Sequence, residues 1–162
     1  MDEPRRLALQ DIENNFETDT RIVELDFRDS RFLKELQDRG YKNIAGTGDV
    51  ENFINFEVFL PSETHKIFDA EVVCCFSRRF PDPCNIPGKV FYGSIAKDWD
   101  DNTPLRVAEM LAEADYKEIK VRTTSYSKED FKIPPLLGVL MSSFLTLIGI
   151  DGPKYVIKAS RV

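Results

Sequence analysis

The sequence predicts an α+β domain, with a mixed or mainly antiparallel sheet of about five to six strands and about three helices packed on it. Three observations carry that expectation. Short apolar or alternating runs recur between proline and glycine punctuation. Three such runs follow one another in the middle of the chain with no helical pattern between them, which favours antiparallel neighbours. Three longer stretches carry helical apolar stripes with start and stop signals.

Residues 1–19 are expected to form an N-terminal arm or short helix with Leu7, Leu9 and Ile12 toward one side, and residues 20–162 a single α+β domain. In residues 20–27, Ile22, Glu24 and Asp26 alternate with Val23, Leu25 and Phe27, the pattern of a strand with one apolar face. A helix follows over 29–40. Asp29 or Ser30 can cap it, Phe32, Leu33 and Leu36 form its stripe, and Gly40 ends it.

Residues 54–60 read as the next strand, with Ile54, Phe56, Val58 and Leu60 on one face and Pro61 as its stop. The strand over 69–76 is apolar on both faces after Glu71, which marks a central position. Residues 78–88 hold Pro81, Pro83 and Pro87 and form a loop, and a strand follows over 89–96. A helix over 103–116 turns Leu105, Ala108, Met110, Leu111 and Ala112 broadly inward, and a strand covers 117–126. Residues 136–148 are apolar nearly all round, which predicts the most buried helix of the protein. The last strand is expected over 154–160.

Charge and composition exclude some function classes. The net charge is −6, so generic nucleic-acid binding is not expected. The apolar stretch 134–150 is too short after its prolines for a membrane span. The N-terminus carries no apolar run of signal-peptide length. Cys74, Cys75 and Cys84 cannot all pair within one chain, and the adjacent two point to opposite faces of a strand. Reduced thiols, and so a cytoplasmic compartment or a particle assembled there, follow as the expectation.

No catalytic set assembles. Counting from Asp98 places Asp98, Asp100, Asn102 and Glu109 at calcium-loop positions, but Thr103 stands where the loop needs glycine. Pro104 suits the first turn of a helix capped by Thr103 instead. Gly46 and Gly48 lack the third glycine of a dinucleotide fingerprint, since Glu51 occupies that place, and read as a turn. His65, the single histidine, falls in a polar connection and reads as solvated. The cysteines lack the paired spacing of a zinc site. Neither a metal nor a cofactor is expected.

The functional expectation is therefore a non-enzymatic protein-interaction or assembly subunit, a structural component of a larger, viral or phage-like particle. Two alternatives stand beside it. One is a small enzyme or ligand-binding domain using Cys84 and His65 or the Arg78–Arg79 loop. The other is an acidic inhibitor or accessory factor. The expected partner is another copy of the chain or another protein subunit. Arg78, Arg79 and Phe80 offer one contact loop. The acidic Asp98, Asp100 and Asp101 around Trp99 are expected to meet a basic patch of Lys120, Arg122, Lys154 and Lys158, each pair sharing a strand face.

Overall fold

The computed structural model of the protein describes every residue except 28, 49–56, 61–62, 64–65, 78–85, 87, 97–102, 126–134, 148–151 and 162. The chain opens with α1 (Glu3–Asn15), where Pro4 sits in the first turn and needs no amide partner. Ala8, Leu9 and Ile12 recur at helical spacing and are buried. β1 (Ile22–Glu24) leads into α2 (Arg31–Asp38), which buries Phe32, Leu33 and Leu36. After α2, Gly40 takes a left-handed φ of 92°, a turn that glycine makes without a Cβ clash. β2 (Ile44–Thr47), β3 (Glu57–Phe59), β4 (Val72–Cys75) and β5 (Val90–Ala96) follow. α3 (Pro104–Glu113), β6 (Glu118–Thr123), α4 (Pro135–Leu147) and β7 (Lys154–Ser160) complete the described elements.

The seven strands form one sheet in the order β3-β2-β1-β4-β5-β7-β6. The pairs from β3 to β5 are all parallel, and β7 runs antiparallel to both β5 and β6. The sheet is mixed, but it has seven strands and is mainly parallel, which corrects the expected α+β domain of about five to six strands and about three helices. The architecture is a doubly wound α/β sheet with four helices among the described residues. Strands consecutive in sequence are not all neighbours in space. In the structure β3 lies at one edge beyond β2, and the chain then crosses β1 to place β4 on its far side. Parallel strands need crossovers; α2 supplies one between β1 and β2, whereas the sequence between β2 and β3 and between β3 and β4 carries no helical pattern. Of the turn read at Gly46 and Gly48, Gly46 lies instead within the fully buried strand β2.

Alternation along each strand feeds two cores. On one face Ile22, Ile44, Val72, Cys74 and Tyr92 pack under α1 and α2. On the other, Val23, Ala45, Val73, Phe91 and Ile157 pack with Val107 and Leu111 of α3 and with Tyr116. Burying each such large apolar side chain stabilises the fold by about 1.5–3 kcal/mol. β4 is buried on both faces, as its continuous apolar run requires of a central parallel strand.

The helix expected to be most buried is exposed. Leu137, Leu140, Phe144 and Leu147 of α4 are 51%, 59%, 55% and 84% accessible. A helix apolar all round usually lies in a core, but the sheet here already has its two covers. No helix among the described residues is long and apolar enough to cross a membrane.

Candidate functional site

β1 is the turning point of the sheet. From it the chain passes to β2 on one side, while β4 and β5 lie on the other. In open α/β sheets, ligands bind outside the carboxyl ends of the strands at this reversal. A cleft of about 370 Å³ opens at that place, within the usual range of small-molecule sites. Asp26 and Asp29 reach it from the turn after β1, Phe76 and Ser77 from the end of β4, and Ser94 and Ala96 from the end of β5. α1 adds Asp2 and Arg5, and β7 adds Lys154.

The turn after β1 is held from both sides. The Leu25 N–H donates to the Cys74 carbonyl at 2.7 Å, and the Phe27 N–H to the Thr47 carbonyl at 3.0 Å. Between them, Asp26 sits at φ 49°, a left-handed conformation uncommon for a residue with a side chain. Its N–H donates to Thr47 Oγ1 at 3.0 Å, which fixes that conformation. The strain is of the kind that persists at functional sites because the surroundings over-determine it. The Phe27 ring fills the space over Gly46, where a Cβ would stand 2.6 Å from the ring. The glycines of residues 46–48 thus make room for an aromatic ring of the chain itself.

Charge in the cleft is arranged in pairs. Arg5 Nη2 lies 3.3 Å from Oε1 of Glu24, the last residue of β1. The Arg5 guanidinium also lies over the Phe76 ring, 5.3 Å from its centroid. Glu24 is fully buried, and burial pushes its carboxyl up to about 8 against the opposing pull of Arg5. Glu24 Oε2 and Arg5 Nε have no hydrogen-bond partner among the described residues. A carboxyl raised in this way offsets the Arg5 charge less than an ordinary glutamate would, while Asp2 Oδ1 lies 3.7 Å from Arg5 Nη1. Asp29 is held down at about 2, chiefly by hydrogen bonds from Arg31 at 3.0 Å. Lys154 Nζ lies 3.2 Å from Asp2 Oδ2. The cleft thus presents carboxylates, cations and the Ser77 and Ser94 hydroxyls together. That set suits a ligand carrying both an ammonium and a carboxylate. Cys75 ends β4 beside the cleft, but burial pushes its thiol up, which disfavours a thiolate nucleophile.

The residues singled out by sequence are distributed differently. Lys154 lines the cleft. Lys120, Arg122, Lys154 and Lys158 do share one face, because β6 and β7 pair in antiparallel register with Lys120 opposite Lys158 and Arg122 opposite Val156. Lys154 and Lys158, however, are paired inside the chain with Asp2 and Asp11 of α1. Thr103 caps α3, its hydroxyl accepting from the Arg106 N–H at 3.3 Å, and Glu109 lies within that helix, away from a calcium-loop position. His65, Arg78, Arg79, Phe80, Cys84, Asp98, Trp99, Asp100 and Asp101 lie outside the described residues.

Arg5, Glu24, Asp26, Asp29, Ser77 and Ser94 were not anticipated as a group. The available signal was the acidic strand end Glu24-Leu25-Asp26 leading directly into a capped helix. Without glycines it did not read as a ligand turn.

No protein-family model matches the chain, and neither does any curated protein. Solved structures do match over nearly its whole length. A SAM-dependent methyltransferase from Archaeoglobus fulgidus superposes with a TM-score of 0.63 at 11% identity, over 97% of this chain and 94% of that one. An S-adenosylmethionine-dependent methyltransferase from Mesorhizobium loti gives 0.63 at 10% identity, over 98% of both chains. Phosphoethanolamine N-methyltransferase 2 of Haemonchus contortus, in complex with S-adenosyl-L-methionine, gives 0.62 at 8% identity, over 98% of this chain and 52% of that one.

The likeness is one of fold, the Rossmann-like fold of these methyltransferases. It overturns the expectation of a non-enzymatic assembly subunit, and with it the structural and viral reading. That expectation rested on the absence of a site motif within any short stretch, whereas the cleft draws on five separate elements.

Proposed function

We propose that the chain is an S-adenosylmethionine-dependent methyltransferase that holds its cofactor in the cleft at the carboxyl ends of β1, β4 and β5. The observation that carries this reading is the position of a charged cleft at the topological switch point of the methyltransferase-type sheet. The residues present fit the amino-acid end of the cofactor. Arg5, with an unpartnered buried Nε, can meet its carboxylate, and Asp26 and Asp29 can meet its ammonium. Ser77 and Ser94 add hydroxyls to the wall between them.

The chain departs from the glycine-rich form of such turns at residues 26 to 30. Asp26 takes the left-handed conformation that a glycine would otherwise supply. When bound, S-adenosylmethionine supplies a methyl group on a sulfonium centre. The protein's part is to bind and orient. Thr47 fixes the Asp26 backbone, Phe76 carries the Arg5 guanidinium on its ring, and burial, by raising the Glu24 carboxyl, weakens its hold on the Arg5 charge, which Asp2 also faces at 3.7 Å. Calorimetry with S-adenosylhomocysteine tests this. Binding that weakens at least about tenfold in Arg5→Gln, a loss equal to one charge-assisted hydrogen bond, supports the reading. Absence of binding to the unaltered chain overturns it.

A further inference from the structure

A second recess lies on the same sheet face, away from the cleft. α1 packs against β5, and the sheet continues beyond it through β7 to the edge strand β6. The step between helix and sheet leaves a groove of about 260 Å³. Leu7 and Ala8 of α1 form one wall and Val156 part of the floor. Lys158, Lys120 and Arg122 stand along the other side.

The arrangement of charge is unusual for a structural surface. Lys120 and Lys158 sit directly opposite each other across the β6–β7 pair, and like charges so placed are destabilising. Arg122 adds a third cation on the same face. Asp11 faces them from α1, but it is already engaged. It accepts from Lys158 and from the Tyr92 hydroxyl, and against its burial these bonds, together with the charges of Lys158 and Arg122, hold its carboxyl below the ordinary range. Glu118 lies farther along β6, 3.4 Å from the Ser160 hydroxyl. Lys120 and Arg122 are exposed and have no ion-pair partner among the described residues. Among the described residues, Lys120 and Arg122 thus stand beside an apolar wall without an ion pair, Arg122 acting on Asp11 only through its charge.

We propose that this groove is a binding site for a small organic phosphate, its phosphate held by Lys120 and Arg122 and its apolar body lying against Leu7, Ala8 and Val156. A guanidinium beside an ammonium matches a phosphate dianion, one forked and one as a point charge. The apolar wall distinguishes such a ligand from free phosphate. The site does not depend on what the cleft holds.

Phenyl phosphate is the probe, followed by amide chemical shifts and by calorimetry on the full chain, with inorganic phosphate and phenol in parallel. The expected result is binding with a Kd below about 1 mM, with shifts at Leu7, Ala8 and Val156. Inorganic phosphate and phenol should each bind at least about tenfold more weakly, the loss of one charge-assisted or apolar contact. Lys120→Glu with Arg122→Glu, both at exposed positions, should abolish binding while leaving the far-ultraviolet spectrum unchanged. Leu7→Gln should weaken phenyl phosphate without changing the response to inorganic phosphate. Four results would overturn the proposal: no binding of phenyl phosphate, equal binding of inorganic phosphate, indifference to charge reversal, or shifts confined to the cleft residues Asp26, Ser77 and Ser94.

Discussion

Replacing Glu24 by glutamine should remove a pH dependence of stability that the buried carboxyl imposes. Glu24 is fully buried at the end of β1, with only Oε1 in contact with Arg5, and its carboxyl rises from an ordinary 4.5 to about 8. A carboxyl raised in the folded state binds its proton more tightly there than in the unfolded chain. Its contribution to stability is complete below about pH 4.5 and is lost as pH rises toward 8. The slope is about 1.4 kcal/mol per pH unit across that window, so between pH 5 and pH 7 the loss approaches about 2–3 kcal/mol. Glutamine has nearly the same shape, keeps an acceptor for Arg5 and does not titrate. Urea unfolding of both chains at pH 5, 6, 7 and 8 should show Glu24→Gln gaining on the original steadily with pH. Parallel stability curves would mean that burial does not raise the Glu24 carboxyl. An original chain that gains on the variant as pH rises would mean that the Arg5 pair holds Glu24 ionised.

Thr103→Ala should cost about 1 kcal/mol in thermal or urea unfolding, because it removes the hydroxyl that caps α3 at the Arg106 amide. Leu140→Ala and Phe144→Ala on the exposed α4 should each change stability by no more than about 0.5 kcal/mol, where burial would have cost about 2–5 kcal/mol. In a Cys84→Ser chain, Cys74 and Cys75 are buried and their thiols are pushed up by that burial. A disulfide reagent should therefore label them at the rate of global unfolding, and fast labelling of the native chain would contradict the burial.

The sequence was most legible where local chemistry decides structure. The stripe of Phe32, Leu33 and Leu36 ends at Gly40 and forms α2, and Thr103-Pro104 starts α3. The run around Val72–Cys75 is buried on both faces, as a central strand must be. It was least legible where long-range order decides. Strand order across β1 leaves no local trace, because β4 pairs with β1 rather than with β3, which precedes it in the chain. The assignment of Glu24 to a polar face followed from alternation with Val23 and Leu25. In a doubly wound sheet both faces are covered, so the same alternation sends Glu24 under α1 toward Arg5. The apolar α4 misled in the opposite sense, since composition reports hydrophobicity but not whether a partner surface exists. The cleft is legible only once β1, β4, β5, β7 and α1 are brought together, because no two of its elements share a motif.

The proposed seat of S-adenosylmethionine is the cleft at the end of β1. Backbone amide shifts on titration with S-adenosylhomocysteine test it most directly. Saturable shifts are expected that include Asp26, Asp29, Ser77 and Ser94, with little change at Lys120 and Arg122 on the β6 edge. An unchanged spectrum at millimolar ligand, or shifts that leave Asp26 and Ser77 untouched, would contradict it.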